Sequence, residues 1–174
     1  MRLTPVMQKY VLHWGEMGAR WGMNRSVAQI HALLYLADAP VTAEEIAETL
    51  GVARSNVSTS LKELLSWSLI RLTHQSGDRR DHFEARTDPW DMLELIADGR
   101  KRREIDPTLE MLKACATEAA GDPDTPDSVK AKLAGMQSFL EQINGWYEQM
   151  RSLPRPVLEK LLGLGARISA FIGR

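Results

Sequence analysis

Apolar residues recur along this chain at helical spacing almost from end to end, with one interruption near the middle where the period shortens to two. Thr4 and Pro5 supply an N-cap and a first helical residue, and Val6, Tyr10, Trp14 and Met17 then recur every three or four positions, predicting a helix through about Arg20. Asn24 caps the next helix, in which Val27, Ile30, Leu33, Leu34 and Ala37 face inward until Asp38, Ala39 and Pro40 end it. Thr42 and Glu45 form a capping box for a short helix carrying Ile46, Ala47 and Leu50, and Gly51 follows as the residue that tolerates a left-handed stop. From Arg54, a further helix places Val57, Leu61 and Leu64 on one face. Leu69–His74 and His82–Arg86 then alternate as two strands around a turn at Ser76, Gly77 and Asp78. Beyond them the pattern is helical again. Asp88 and Pro89 open a helix with Trp90, Leu93 and Ile96 inward; Asp106 and Pro107 break or kink it, and Leu109, Leu112, Ala116 and Ala119 run on to Gly121. After the loop GDPDTPD, Thr125 and Pro126 start a helix to about Arg151 with Leu133, Met136, Leu140, Ile143 and Met150, and a last helix carries Val157, Leu161, Leu164, Ile168 and Phe171.

Two short helices joined by a tight Gly-containing turn and followed by a hairpin predict a winged helix-turn-helix. The fold class expected is mainly α: a winged helix-turn-helix with a two-stranded β-wing over residues 24–87, flanked by a helical dimerisation region made of 1–23 and 88–174. On the helix from Arg54, a step of 100° per residue puts Ser55, Asn56, Thr59 and Lys62 outward, with Arg54 and Ser58 on the flanks. Short donors and acceptors framed by cations are the groups that bond base edges and phosphates in a major groove. Arg79 and Arg80 sit at the wing tip, where an exposed cation enters a narrow minor groove, and Asp78 is placed to pin one guanidinium. These eight residues are the candidate DNA contacts.

The run EEIAETLGVARSNVSTSLKELLSWSLI, followed by GDRRDHFEA, resembles the winged-helix core of MarR-type transcriptional regulators and, more closely, their GbsR-like branch. The resemblance is dense from Asn24 to Pro107, including NRSVAQIHALLYL and KRREIDPTLEML, and thins towards the C-terminus. It departs from the general pattern at Ala53, where the recognition-helix cap is usually Ser, and at ARTDPW after the wing. The expected function is a repressor of a palindromic operator on double-stranded DNA, cytoplasmic because no signal peptide or membrane span is seen and dimeric because its terminal helices carry surplus apolar surface. The resemblance also implies a small-molecule effector such as the quaternary ammonium compound choline. An aromatic cage for such a cation would draw on Trp14, Trp21, Trp90 and Trp146, although Trp14 and Trp90 also fall on apolar stripes that explain them as core.

Composition adjusts this reading in only a few places. The 174 residues carry a net charge of −1 and a pI near 6.4, so DNA binding rests on local pattern. From Arg54 to Arg86 there are six Lys or Arg against four Asp or Glu, a balance of +2, and with so few phosphates neutralised per chain tight binding calls for two copies. Four amphipathic helices outside the DNA-reading unit leave surplus apolar surface, which predicts a homodimer. No stretch approaches the roughly 18 apolar residues of a membrane span, and the N-terminus lacks the apolar core of a signal peptide. A single cysteine, Cys115, excludes an intrachain disulfide and reads as a buried helical thiol beside Leu112, Ala116 and Ala119. His13, His31, His74 and His82 lack metal-ligand spacing, Arg100–Arg103 reads as a solvated face, and the recognition-helix serines have no paired base. No enzyme activity and no cofactor are expected. The rival to DNA binding is a winged-helix protein-interaction module, which would expose aromatic and aliphatic anchors where Ser, Asn, Thr and Lys stand here.

Overall fold

The computed structural model describes residues 1–165; the expected apolar positions Ile168 and Phe171 lie outside the described residues. One compact unit spans Met1–Gly99 and a second begins at Arg100. The first contains α1 (Pro5–Arg20), α2 (Arg25–Tyr35), β1 (Val41–Thr42), α3 (Ala43–Leu50), α4 (Arg54–Ser66), β2 (Ile70–Thr73) and β3 (His82–Ala85), and α5 (Pro89–Arg100) follows.

The helix starts follow the caps. The Thr4 hydroxyl accepts from the Met7 amide at 3.4 Å and the Asn24 side chain from the Ser26 amide at 2.9 Å. At α3 the capping box is complete: Thr42 Oγ1 accepts from the Glu45 amide at 3.3 Å, and Glu45 Oε2 accepts from the Thr42 amide at 2.8 Å. Those bonds from Thr42 hold the Glu45 carboxyl below its ordinary range. Gly51 ends α3 at φ 64°, so the next helix restarts three residues on. At the other end of α4, Ser68 adopts φ 58°, and the Ser68 and Leu69 amides return to the carbonyls of Leu65 and Leu64 at 2.9 and 3.1 Å. That paired closure turns the chain directly into the wing.

The sheet has three strands, not the two expected, in the order β1-β3-β2 with both pairings antiparallel. β1 is two residues long, Val41 opposite Phe83 and Thr42 opposite His82, and Thr42 closes the strand while capping α3. Ile30, Leu33, Ile46, Val57, Leu64 and Leu69 are buried together between α2, α3, α4 and the wing. Each such side chain contributes about 1.5 to 3 kcal/mol by leaving water, which fixes α4 against its supports. α1 packs along α2 at close range. A Cβ at Gly18 would stand 2.4 Å from Ala28 Cβ, so only glycine allows this approach.

In the second unit, the expected break or kink at Asp106 takes the form of five π-helical residues, Lys101–Ile105, which run directly into α6 (Asp106–Gly121), where Pro107 is the second residue and lacks the N–H that a continuous helix would use. α7 (Asp127–Arg151) and α8 (Arg155–Leu164) complete the described chain. Thr125 does not cap α7. Its hydroxyl donates to Asp122 and closes the preceding loop, leaving Pro126 at the cap position without a side-chain bond. α7 packs on α6, whose Leu109, Leu112 and Ala119 are buried. Cys115 is half-buried rather than buried, with its thiol 3.6 Å from the sulfur of Met111. The cation run is a solvated face only in part: Arg102 and Arg103 are exposed and Arg100 pairs with Glu104 at 3.3 Å, but Lys101 is largely covered and reaches Asp106 at 2.7 Å and Glu148 of α7 at 3.2 Å.

Candidate nucleic-acid interface

The outward face of α4 holds the side chains its periodicity places there. Arg54, Ser55, Asn56, Ser58, Thr59 and Lys62 are all exposed, whereas Val57, Ser60, Leu61 and Leu64 are buried against the core. Ala53 at the cap makes no side-chain hydrogen bond, so the first turn of the helix keeps its amides directed outward without a competing hydroxyl.

Individual side chains on this face are already engaged. Asn56 Nδ2 donates to Ser26 Oγ at 3.0 Å, which ties the amide to the start of α2 and leaves its oxygen as the free acceptor. Thr59 Oγ1 donates back to the Ser55 carbonyl at 3.1 Å, so its methyl and its oxygen lone pairs are what it offers outward. Arg54 forms an ion pair with Glu44 in the first turn of α3. Lys62 stands further along the same face.

The wing is braced by cross-strand contacts. Arg71 lies opposite Glu84 in register and pairs with it, and Leu72 opposes Phe83. At the tip, Asp78 holds Arg80: it accepts from the Arg80 amide at 3.0 Å and from the guanidinium Nε at 3.0 Å. The Arg80 bonds push the Asp78 carboxyl well below the usual carboxylate range and hold the Arg80 cation more firmly charged. Of the two candidate cations it is therefore Arg80 that Asp78 pins, with Arg79 exposed beside it. His82 fixes the base of the tip: buried, with Nδ1 donating to the Arg80 carbonyl at 2.9 Å and Nε2 3.6 Å from Asp78.

Helix and wing meet at one open groove of about 410 Å³. Arg54, Ser58 and Lys62 line it from α4, Arg80 from the wing, and Glu44 and Asp81 contribute acidic groups. Three of the six candidate contacts that the sequence assigns to α4 thus share a concave surface with a wing cation. Ser26 and Glu44, which engage Asn56 and Arg54, were missed by sequence reasoning: they lie 30 and 10 residues from their partners, and no local spacing signals such contacts.

The four tryptophans differ in their local surroundings. Trp14 is half-buried and stacks on Tyr10 with centroids 5.5 Å apart, and Tyr10 in turn stacks on Tyr35 at 6.2 Å. Trp90 is half-buried, with its amide donating to Asp88 at 2.8 Å, while Trp21 is 60% exposed. Trp146 belongs to the second unit and is 58% exposed on α7. Among the described residues there is no group of three or more side chains that could hold a metal ion, and no helix long and apolar enough to cross a membrane.

Comparison with known proteins matches this geometry. Residues 21–81 match the model of the MarR family, from the end of α1 through α2, α3 and α4 to the wing tip. The chain is 22% identical over 140 residues to the HTH-type transcriptional repressor GbsR of Bacillus subtilis (strain 168), covering 79% of this chain and 77% of that one. The fold is shared with a crystal structure of a transcriptional regulator at a TM-score of 0.64 and 21% identity, over 83% of this chain and 99% of that one. A MepR–DNA complex of S. aureus overlaps less, at a TM-score of 0.38 and 20% identity, over 59% of this chain and 82% of that one. The capped helix pair, the helix from Arg54 and the wing tip thus all fall within the segment that matches the MarR family model, and the chain as a whole is similar to a GbsR repressor and shares a transcriptional regulator's fold.

Proposed function

We propose that the protein is a sequence-specific transcriptional regulator that represses by binding a palindromic operator as a homodimer. The observation that carries the DNA-binding reading is the shared groove: the polar face of α4 and the pinned wing cation Arg80 open onto one surface, as a protein that grips a major groove and its flanking backbone requires. In this reading Asn56 and Thr59 meet base edges, Arg54, Ser55, Ser58 and Lys62 meet phosphates and the groove edge, and Arg79 and Arg80 enter the neighbouring minor groove. Dimerisation is supported by α7, a 25-residue helix with no buried residue in its own chain.

Electrophoretic shifts with the protein's own promoter region and with random DNA test the assignment. Asn56→Ala should cost about 1 to 3 kcal/mol for the cognate site and much less for random DNA, whereas Lys62→Ala should weaken both alike. Replacing Arg79 and Arg80 together by Ala should lower affinity and flatten its salt dependence, because fewer counterions are released. Equal losses on cognate and random DNA for Asn56→Ala would refute the base-reading role, and an unchanged salt slope would refute the wing contact.

The effector that fits the GbsR-like similarity is a quaternary ammonium compound, bound through aromatic faces. Such a ligand shifts DNA affinity only by preferring one spacing of the two recognition helices. Titration with choline and glycine betaine should change both tryptophan fluorescence and operator binding; silence of both signals at millimolar ligand would remove the effector from this reading.

A further inference from the structure

Glu44 is one of two acidic residues that favour the N-terminus of α3. It stands beside Glu45 in the first turn of α3, but the capping box uses Glu45 alone. The Glu44 side chain instead reaches the guanidinium of Arg54, ten residues on, at the first position of the recognition helix. Arg54 is 70% exposed and Glu44 35% exposed, and both line the groove shared by α4 and the wing. The carboxylate also bears on the wing: behind Asp78 and Glu45, it contributes to holding Arg80 charged. A phosphate approaching this surface therefore meets a cation that is already neutralised and an anion beside it.

We infer that Glu44 occupies the place of a DNA phosphate on Arg54 and so restrains the binding of DNA of any sequence. The inference rests on the DNA-binding reading given above. An exposed ion pair of this kind is weak enough to be exchanged for a phosphate in the bound state, yet strong enough to remove one cation from the count that drives loose, sequence-independent binding. The repulsion between the displaced carboxylate and the DNA backbone acts in the same direction. Base contacts from Asn56 and Thr59 do not pass through Glu44, so they are left to carry a larger share of the total affinity.

The test is Glu44→Gln in the full chain, with binding to random duplex DNA measured across a range of salt concentrations. Gln keeps the size of the side chain, and the capping box stays intact, so the melting temperature serves as a control on folding. The variant should bind random DNA about threefold to tenfold more tightly than the parent and show a salt slope steeper by up to about 0.9, the signature of one further phosphate. In an Arg54→Ala background the same change should bring a clearly smaller gain, since the competed cation is gone. Unchanged or weaker binding by Glu44→Gln, where the parent binds DNA, would overturn the inference and make the carboxylate a support for Arg54. If neither protein binds any DNA, the underlying reading fails together with it.

Discussion

Acidification from pH 7 to pH 4 should remove about 3 kcal/mol of folding stability through His31 alone. His31 lies on α2, 5% exposed, and its Nε2 has no hydrogen-bond partner among the described residues. Burial lowers its pKa from 6.5 to about 4, because a charged imidazole would have to be desolvated between α2 and its neighbours. In the unfolded chain the same ring takes up its proton near pH 6.5. The unfolded state therefore binds more protons between pH 6.5 and 4, so stability is fully present above the unfolded value and falls as pH drops through that window. Urea unfolding of the parent and of His31→Leu, followed from pH 7 to pH 4, checks this. The variant should lose most of the slope, while its stability at pH 7 changes little, since an unpaired buried nitrogen is replaced by an apolar group of similar size. Parallel pH profiles for the two proteins would show that His31 does not control acid stability. The depressed carboxyl of Asp78 acts lower, where its protonation releases Arg80 at the wing tip, so the two effects separate along the pH axis.

His31 also shows where sequence reading stops. Its position on the apolar stripe of α2 was legible only as that of one scattered histidine among four, because periodicity marks a face and says nothing of what covers it. Elements whose causes are local were read well. The capping box at Thr42, the left-handed Gly51, the Val57, Leu61 and Leu64 stripe and the hairpin arms each depend on residues within a few positions of one another. The misses share a non-local cause. β1 is two residues long and exists only because β3, forty residues later, pairs with it. Asn56 meets Ser26, and Arg54 meets Glu44, through the packing of three helices. Thr125 has the composition of a cap, but Asp122 lies within reach of its hydroxyl and the loop claims it. The outward face of α4 was legible as a face, and the engagements that tune its residues were not.

The largest expected effect belongs to α7. Its apolar positions form one broad stripe that divides by burial: Leu133, Leu140 and Tyr147 on one edge are half-buried, whereas Met136, Phe139, Ile143 and Trp146 on the other are 52%, 55%, 45% and 58% exposed. The second set recurs at spacings of three, four and three, so the four side chains form a continuous ridge along one side of the helix. An exposed apolar ridge of this length is unfavourable in water, and a two-fold partner carrying the same ridge would cover it in a self-complementary way. Sedimentation should show the full chain as a dimer at micromolar concentration, and the double variant Phe139→Glu, Ile143→Glu as a monomer with unchanged helical content, because both side chains project outward. Separating the two recognition helices turns a linked second binding step into an independent one. Affinity for the palindromic operator should therefore fall by about 10² to 10⁴, while affinity for an isolated half-site stays as it was. A charged variant that remains dimeric, or that keeps its operator affinity as a monomer, would place the dimer contact elsewhere and leave the ridge of α7 without this role.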